Sequence, residues 1–123
     1  MATAQRRKRI LVVDDNVDSA EMLVALVETW GHEAFHAVDG DAAVAMAHDL
    51  RPDIVLLDIG LPGKDGYEVT ALLRSDPELH GIRIVAVSGY GQESDRIKSR
   101  AAGFDDHIVK PVDIPSLERA LAN

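Results

Sequence analysis

The 123-residue chain has no cysteine, which excludes disulfides and thiolate zinc sites. No apolar stretch approaches the ~18 residues a membrane span needs, and no basic-then-apolar leader opens the chain, so the cytoplasm is the expected compartment. There is no internal repeat, low-complexity tract or long linker, and a chain of this length is expected to form one domain. Positive charge is scarce after the first nine residues. Arg6, Arg7, Lys8 and Arg9 stand together without an acid, whereas the remainder holds nine bases against 21 acids. A body this acidic repels nucleic acid and anionic membrane surfaces, so neither is an expected partner. Residues 1–8 read as a basic, solubilising tail ahead of a folded unit over 9–123. Phosphate-cradling glycine signatures are missing too. The loop G-L-P-G-K-D-G at 60–66 is not G-x-G-x-x-G, and Lys64 is followed by Asp65 instead of Ser or Thr, which excludes dinucleotide and P-loop chemistry. His32, His36, His48 and His80 lack metal-ligand spacing and read as surface residues.

What is present is a regular alternation. Short aliphatic runs at Ile10–Val13, Ala34–Val38, Ile54–Leu57, Ile82–Val87 and His107–Val109 are separated by segments of helical period. In the first such segment Ala20, Leu23, Val24, Val27 and Trp30 share one face, and Gly31 is placed to end it. Asp41–Leu50 is alanine-rich and stops before Pro52, and Tyr67–Arg74 follows the glycine-rich loop. Glu93–Ala102 is polar, with Ile97, Ala101 and Ala102 as its residues to bury. Asp113 is placed to cap a last helix that turns Leu117 and Leu121 to the core. Five β–α pairs with nearly continuous apolar strands predict a doubly wound α/β fold: a five-stranded parallel sheet in the flavodoxin-like order 2-1-3-4-5, with helices on both faces. Ligands in such sheets sit at the carboxyl ends of the strands.

Those ends carry a consistent chemistry. The first strand runs into Asp14 and Asp15, the third into Asp58, the fourth into Ser88 and the fifth into Lys110. Three crowded carboxylates favour protonation of at least one of them unless a cation separates the charges. Mg²⁺ is the natural candidate, since it accepts one or two carboxylates and then binds phosphate oxygens readily. Lys110 adds an ammonium and Ser88 a hydroxyl donor, so the set suits a phosphoryl group. Asp58, on the central strand, is the natural nucleophile, because a carboxylate can form an acyl phosphate.

The stretches I-L-V-V-D-D-N-V-D, P-D-I-V-L-L-D-I-G-L-P-G-K-D-G-Y-E-V, I-V-A-V-S-G-Y-G and A-G-F-D-D-H-I-V-K-P resemble the receiver domain of two-component response regulators, over Arg9 to Ala122. That resemblance implies that Asp58 takes a phosphoryl group from a histidine kinase or histidine phosphotransfer domain. It implies Mg²⁺ bound by Asp15, Asp58 and the Gly60 carbonyl, with Asp14 acting through water. It implies that Lys110 pairs with Asp58 or its phosphoryl group, that Ser88 swings in to hydrogen-bond it, and that the Lys110–Pro111 bond is cis. Within the family, Gly60 and Tyr90 occupy positions that tune hydrolysis. The output face is expected on helix 4, strand 5 and helix 5, where Arg96, Lys98 and Arg100 are available to a downstream effector, with the protein a monomer or weak dimer. Two departures from the family pattern stand out: Ser88 replaces the commoner Thr, and His107 occupies a switch position usually held by Tyr or Phe. Taken by itself, His107 reads as a partly buried packing residue before a pH sensor. The G-F-D-D-H-I-V-K-P-V-D stretch resembles the terminal receivers of hybrid kinases, so both a free-standing regulator and a receiver excised from a hybrid are open.

Two other classes compete. A haloacid-dehalogenase-type phosphatase also uses an aspartyl phosphate and Mg²⁺, but its D-x-D pair is not supplied here, since Gly60 stands two residues beyond Asp58. A degenerate receiver that only binds partners is disfavoured by the intact set of Asp14, Asp15, Asp58, Ser88 and Lys110.

Overall fold

The computed structural model describes residues 7–89 and 93–122, and among them five strands alternate with five helices. In chain order these are β1 (Arg9–Val13), α1 (Val17–Thr29), β2 (Glu33–Ala37), α2 (Gly40–Leu50), β3 (Ile54–Asp58), α3 (Gly66–Ser75), β4 (Arg83–Ser88), α4 (Glu93–Ala102), β5 (Asp106–Val109) and α5 (Ile114–Ala122). All pairings are parallel, in the order β2-β1-β3-β4-β5. No described helix is long and apolar enough to cross a membrane.

Period-two alternation divides the strand side chains between two cores. Leu11, Val13, Val55, Leu57, Ile84 and Ala86 pack with Ala43 and Ala47 of α2 and Val69 and Leu73 of α3. Ile10, Val12, Ile54, Leu56, Val85 and Ile108 pack on the other face with Ala20 and Val27 of α1 and Leu117, Ala120 and Leu121 of α5. Strand β3, central and buried along its whole length, feeds both cores. Emptying a fully buried position such as Leu56 or Leu57 by substitution to alanine costs about 2–5 kcal/mol.

Four helices start on side-chain caps. Asn16 accepts from Ser19 N–H, Asp39 from Ala42 N–H, Asp65 from Glu68 N–H and Asp113 from Ser116 N–H. Each cap is worth about 1 kcal/mol. Because every helix follows a strand, these amino ends gather at the carboxyl rim of the sheet. The opposite ends close differently. Gly31 and Gly103 take positive φ after α1 and α4, and Arg51 ends α2 in the left-handed region at φ 49°. A side chain on Gly40 has no room: its Cβ would lie 2.8 Å from both Lys64 Cβ and Val69 Cγ2, which is why the loop after β3 packs closely on the start of α2.

Three sequence expectations are corrected here. α4 does not bury Ile97 and Ala101, which are exposed; Ser99, two positions from each and so on the opposite side of the helix, is buried, with Ala102 partly so. His32 is not a surface residue but is buried, its Nδ1 accepting the Lys8 backbone N–H at 3.1 Å. His36 is half-buried on β2 and hydrogen-bonded to the end of β1. In each case a tertiary neighbour, not local pattern, decides the burial.

Candidate functional site at the carboxyl rim

Register assembles the rim. Ile10 pairs with Ile54 and Val12 with Leu56, so the next residues on that face, Asp14 and Asp58, come up side by side on the α1–α5 side. Asp15 follows from the turn into α1. Carboxylate oxygens of Asp14, Asp15 and Asp58 all lie within 4.8 Å of one another. On β5, Ile108 shares the α1–α5 core, so Lys110 arrives on the same side two residues later. Its Nζ donates to Asp58 Oδ2 at 3.3 Å and lies 3.9 Å from Asp14 Oδ2. The Lys110–Pro111 peptide bond is cis, and the Lys110 N–H donates to the Ser88 carbonyl at 2.8 Å.

Asp14 and Asp58 are buried, whereas Asp15 is exposed. Burial pushes the Asp14 carboxyl above its ordinary range, and the neighbouring charges of Asp58 and Asp15 add to the rise. The Asn16 N–H bond and the Lys110 ammonium pull in the other direction. The remaining oxygen of Asp58, Oδ1, accepts the Gly60 N–H at 3.0 Å, which orients the carboxylate from the loop side.

Ser88 ends β4, buried, beside Val109. Its parity follows Ile84 and Ala86, so it belongs to the opposite face from Asp58, together with His107, which pairs with Ala86. His107 is buried, and its Nδ1 lies 3.1 Å from the buried Ser99 Oγ on α4. The sequence carries no sign of that Ser99 link, because nothing local distinguishes a serine that meets a strand eight residues on. Tyr90 lies outside the described residues. Arg96, Lys98 and Arg100 are exposed on α4, and Lys98 Nζ stands 4.7 Å over the Tyr67 ring. Of the basic run, Arg6 lies outside the described residues and Arg7 is exposed; Lys8 reaches the Leu121 carbonyl and Arg9 opens β1.

A doubly wound sheet carrying three carboxylates and one lysine at its carboxyl rim is a geometry for handling an anionic group through a cation. The profile of the response regulator receiver domain matches residues 10–122. Protein PilH of Pseudomonas aeruginosa is 36% identical over 113 residues, covering 92% of this chain and 93% of PilH. The polar-differentiation response regulator DivK of Brucella anthropi is 34% identical over 108 residues, covering 88% of each. In structure, the chemotaxis protein CheY4 of Vibrio cholerae superposes with a TM-score of 0.88 over 94% of this chain and 97% of that one, at 24% identity, a likeness of fold. The chain belongs to the response regulator receiver domain family.

Proposed function

We propose that this domain is a phosphorylation-controlled signalling module in which Asp58 takes a phosphoryl group from a phosphohistidine on a histidine kinase or phosphotransfer domain. The observation that carries the reading is the packing of three carboxylates within 4.8 Å of one another with Lys110 Nζ 3.3 Å from Asp58. Such a cluster is costly alone and well suited to a divalent cation. Asp15 and Asp58, with the Gly60 carbonyl, would hold Mg²⁺ directly and Asp14 would hold it through water; bound there, the ion neutralises charge between the incoming phosphoryl oxygens and the carboxylates. An Asp58 oxygen attacks phosphorus, the P–N bond to imidazole breaks as the P–O bond forms, and the imidazole leaves carrying a proton. Lys110, already on Asp58, moves to a phosphoryl oxygen, and the Ser88 hydroxyl donates to another.

The groove beside the site suits a donor's helix. It holds about 700 Å³ between α1 and the β5–α5 connection, runs past Met22, Leu23, Leu26 and Pro111, and opens on Asp14 and Lys110. On the other face, movement of Ser88 toward the phosphoryl group frees space next to His107. The His107–Ser99 contact then gives that change a hold on α4, so the α4-β5-α5 face becomes the surface an effector protein reads. Residues 9–123 are the receiver unit and 1–8 its basic lead-in. The domain works in the cytoplasm and acts as a signal receiver that catalyses its own phosphoryl uptake and loss.

The test is incubation with Mg²⁺ and acetyl phosphate, followed by intact mass. The wild type is expected to gain one phosphoryl group and Asp58→Asn none. Uptake by Asp58→Asn would refute the acceptor assignment, no uptake by the wild type would favour a partner-binding domain, and turnover of small phosphate esters would favour the hydrolase class.

A further inference from the structure

We propose that His36 is a positioning residue for the acidic site, fixing the peptide that joins Asp14 to Asp15. This rests on the metal-site reading above and goes beyond it to a residue on the edge strand. His36 pairs with Val12 in the β1–β2 ladder and lies on the same face as Asp14, which stands two residues beyond Val12 and just past the end of β1. Its ring leans along the strand so that Nε2 stands 2.9 Å from the Asp14 backbone oxygen. A carbonyl only accepts, so Nε2 carries the hydrogen and donates it.

The consequence follows from how the two carboxylates are held. Asp14 is tied on every side: its N–H donates to the Ala37 carbonyl at 3.1 Å, its Oδ1 accepts the Asn16 N–H at 2.9 Å, and its carbonyl accepts from His36. No hydrogen bond to another described residue holds the exposed Asp15 carboxylate, so the backbone that carries it is the anchor that limits where it can reach. The carbonyl of Asp14 and the nitrogen of Asp15 share one planar peptide unit. By gripping that carbonyl, His36 sets the plane from which Asp15 projects, against a repulsion that favours splaying the carboxylates apart. Ligands held in place before the ion arrives bind it more tightly.

The variants His36→Leu and His36→Gln separate this role from packing. Leucine fills space without a donor, whereas the Gln side-chain nitrogen lies as many bonds from the backbone as His Nε2 and donates in its place. Calorimetric titration with Mg²⁺ is expected to give a dissociation constant about threefold to tenfold weaker for His36→Leu, the worth of one lost hydrogen bond, and within about twofold of wild type for His36→Gln. In the metal-free proteins, the Asp15 amide nitrogen resonance should shift in the Leu variant and return toward its wild-type position in the Gln variant. Undiminished Mg²⁺ binding by His36→Leu, or a Gln variant as weak as Leu, overturns the inference while the metal site stands. Failure of the wild type to bind Mg²⁺ overturns the metal reading and this inference with it.

Discussion

The two ends of the sheet treat charge in opposite ways. At the amino ends of the strands nearly every charge is matched. Arg9 pairs with Glu33 at 3.2 Å while its backbone N–H donates to Asp53, and Arg83 pairs with Asp106 at 3.3 Å. Arg74 spreads its guanidinium over the carbonyls of His80, Ile82 and Gly103 and the Asp105 carboxylate. At the carboxyl ends three carboxylates face a single lysine. The matched end satisfies the loops it touches and holds elements together; the unmatched end keeps a repulsion that Lys110 offsets in part and that a bound cation would relieve further. That contrast singles out the carboxyl rim as the end where charge is left unbalanced among the clustered carboxylates.

The largest effect that would sharpen this contrast lies at the matched end. Arg74→Ala strands several carbonyls and a carboxylate, and a loss of about 2–4 kcal/mol is expected by urea denaturation. Phosphoryl uptake on Asp58 per folded molecule should not change; if it does, the two ends are coupled and the division fails.

His32, also toward that end, supplies a pH-dependent version. Burial, with the Lys8 charge adding to it, holds its imidazole below the ordinary 6.5. The unfolded chain therefore takes the proton first, and stability is lost as pH falls below 6.5 toward the folded value. His32→Asn keeps an acceptor for the Lys8 N–H and removes the titration, so its urea midpoint should vary less between pH 6.5 and about pH 5 than that of the wild type. An unchanged slope would assign the acid sensitivity elsewhere.

The smallest effect should carry the opposite sign and comes from the unmatched end. The folded Asp14 carboxyl titrates above its ordinary 3.8, so the folded state keeps this proton longer than the unfolded chain does. Stability accordingly declines as pH rises from 3.8 through the folded value. Asp14→Asn retains the acceptor for Asn16 N–H and removes the charge. Its thermal midpoint at pH 7 without Mg²⁺ should rise by a few degrees, while Mg²⁺ affinity falls. A lowered midpoint would mean that the carboxylates are compensated within the protein, and the contrast between the two ends would collapse.

Much of this is legible in the amino-acid sequence. The aliphatic runs ending in Asp14, Asp58, Ser88 and Lys110 identify parallel strands and the rim where chemistry belongs, because hydrophobic period and strand-end composition are local properties. The helix cap at Asp113 is legible for the same reason, while the caps at Asn16, Asp39 and Asp65 emerge with the structure. His36 read as a surface residue and Ser99 as an unremarked polar residue of α4, yet one holds the Asp14 carbonyl and the other meets His107. Arg74, at the end of an ordinary helix, gave no sign that it closes the loops before β4 and β5.

What the sequence determined by itself was the alternation of strands and helices and which residue types stand at each strand end. Only the tertiary structure decided that the even-numbered positions of β1 and β3 align, bringing Asp14 beside Asp58, and that a ring on the edge strand grips the peptide between two acids. The physical reason is range. Periodicity and capping depend on neighbours within a turn or two, whereas register and hydrogen-bond partners across the sheet depend on how distant segments settle against a shared core.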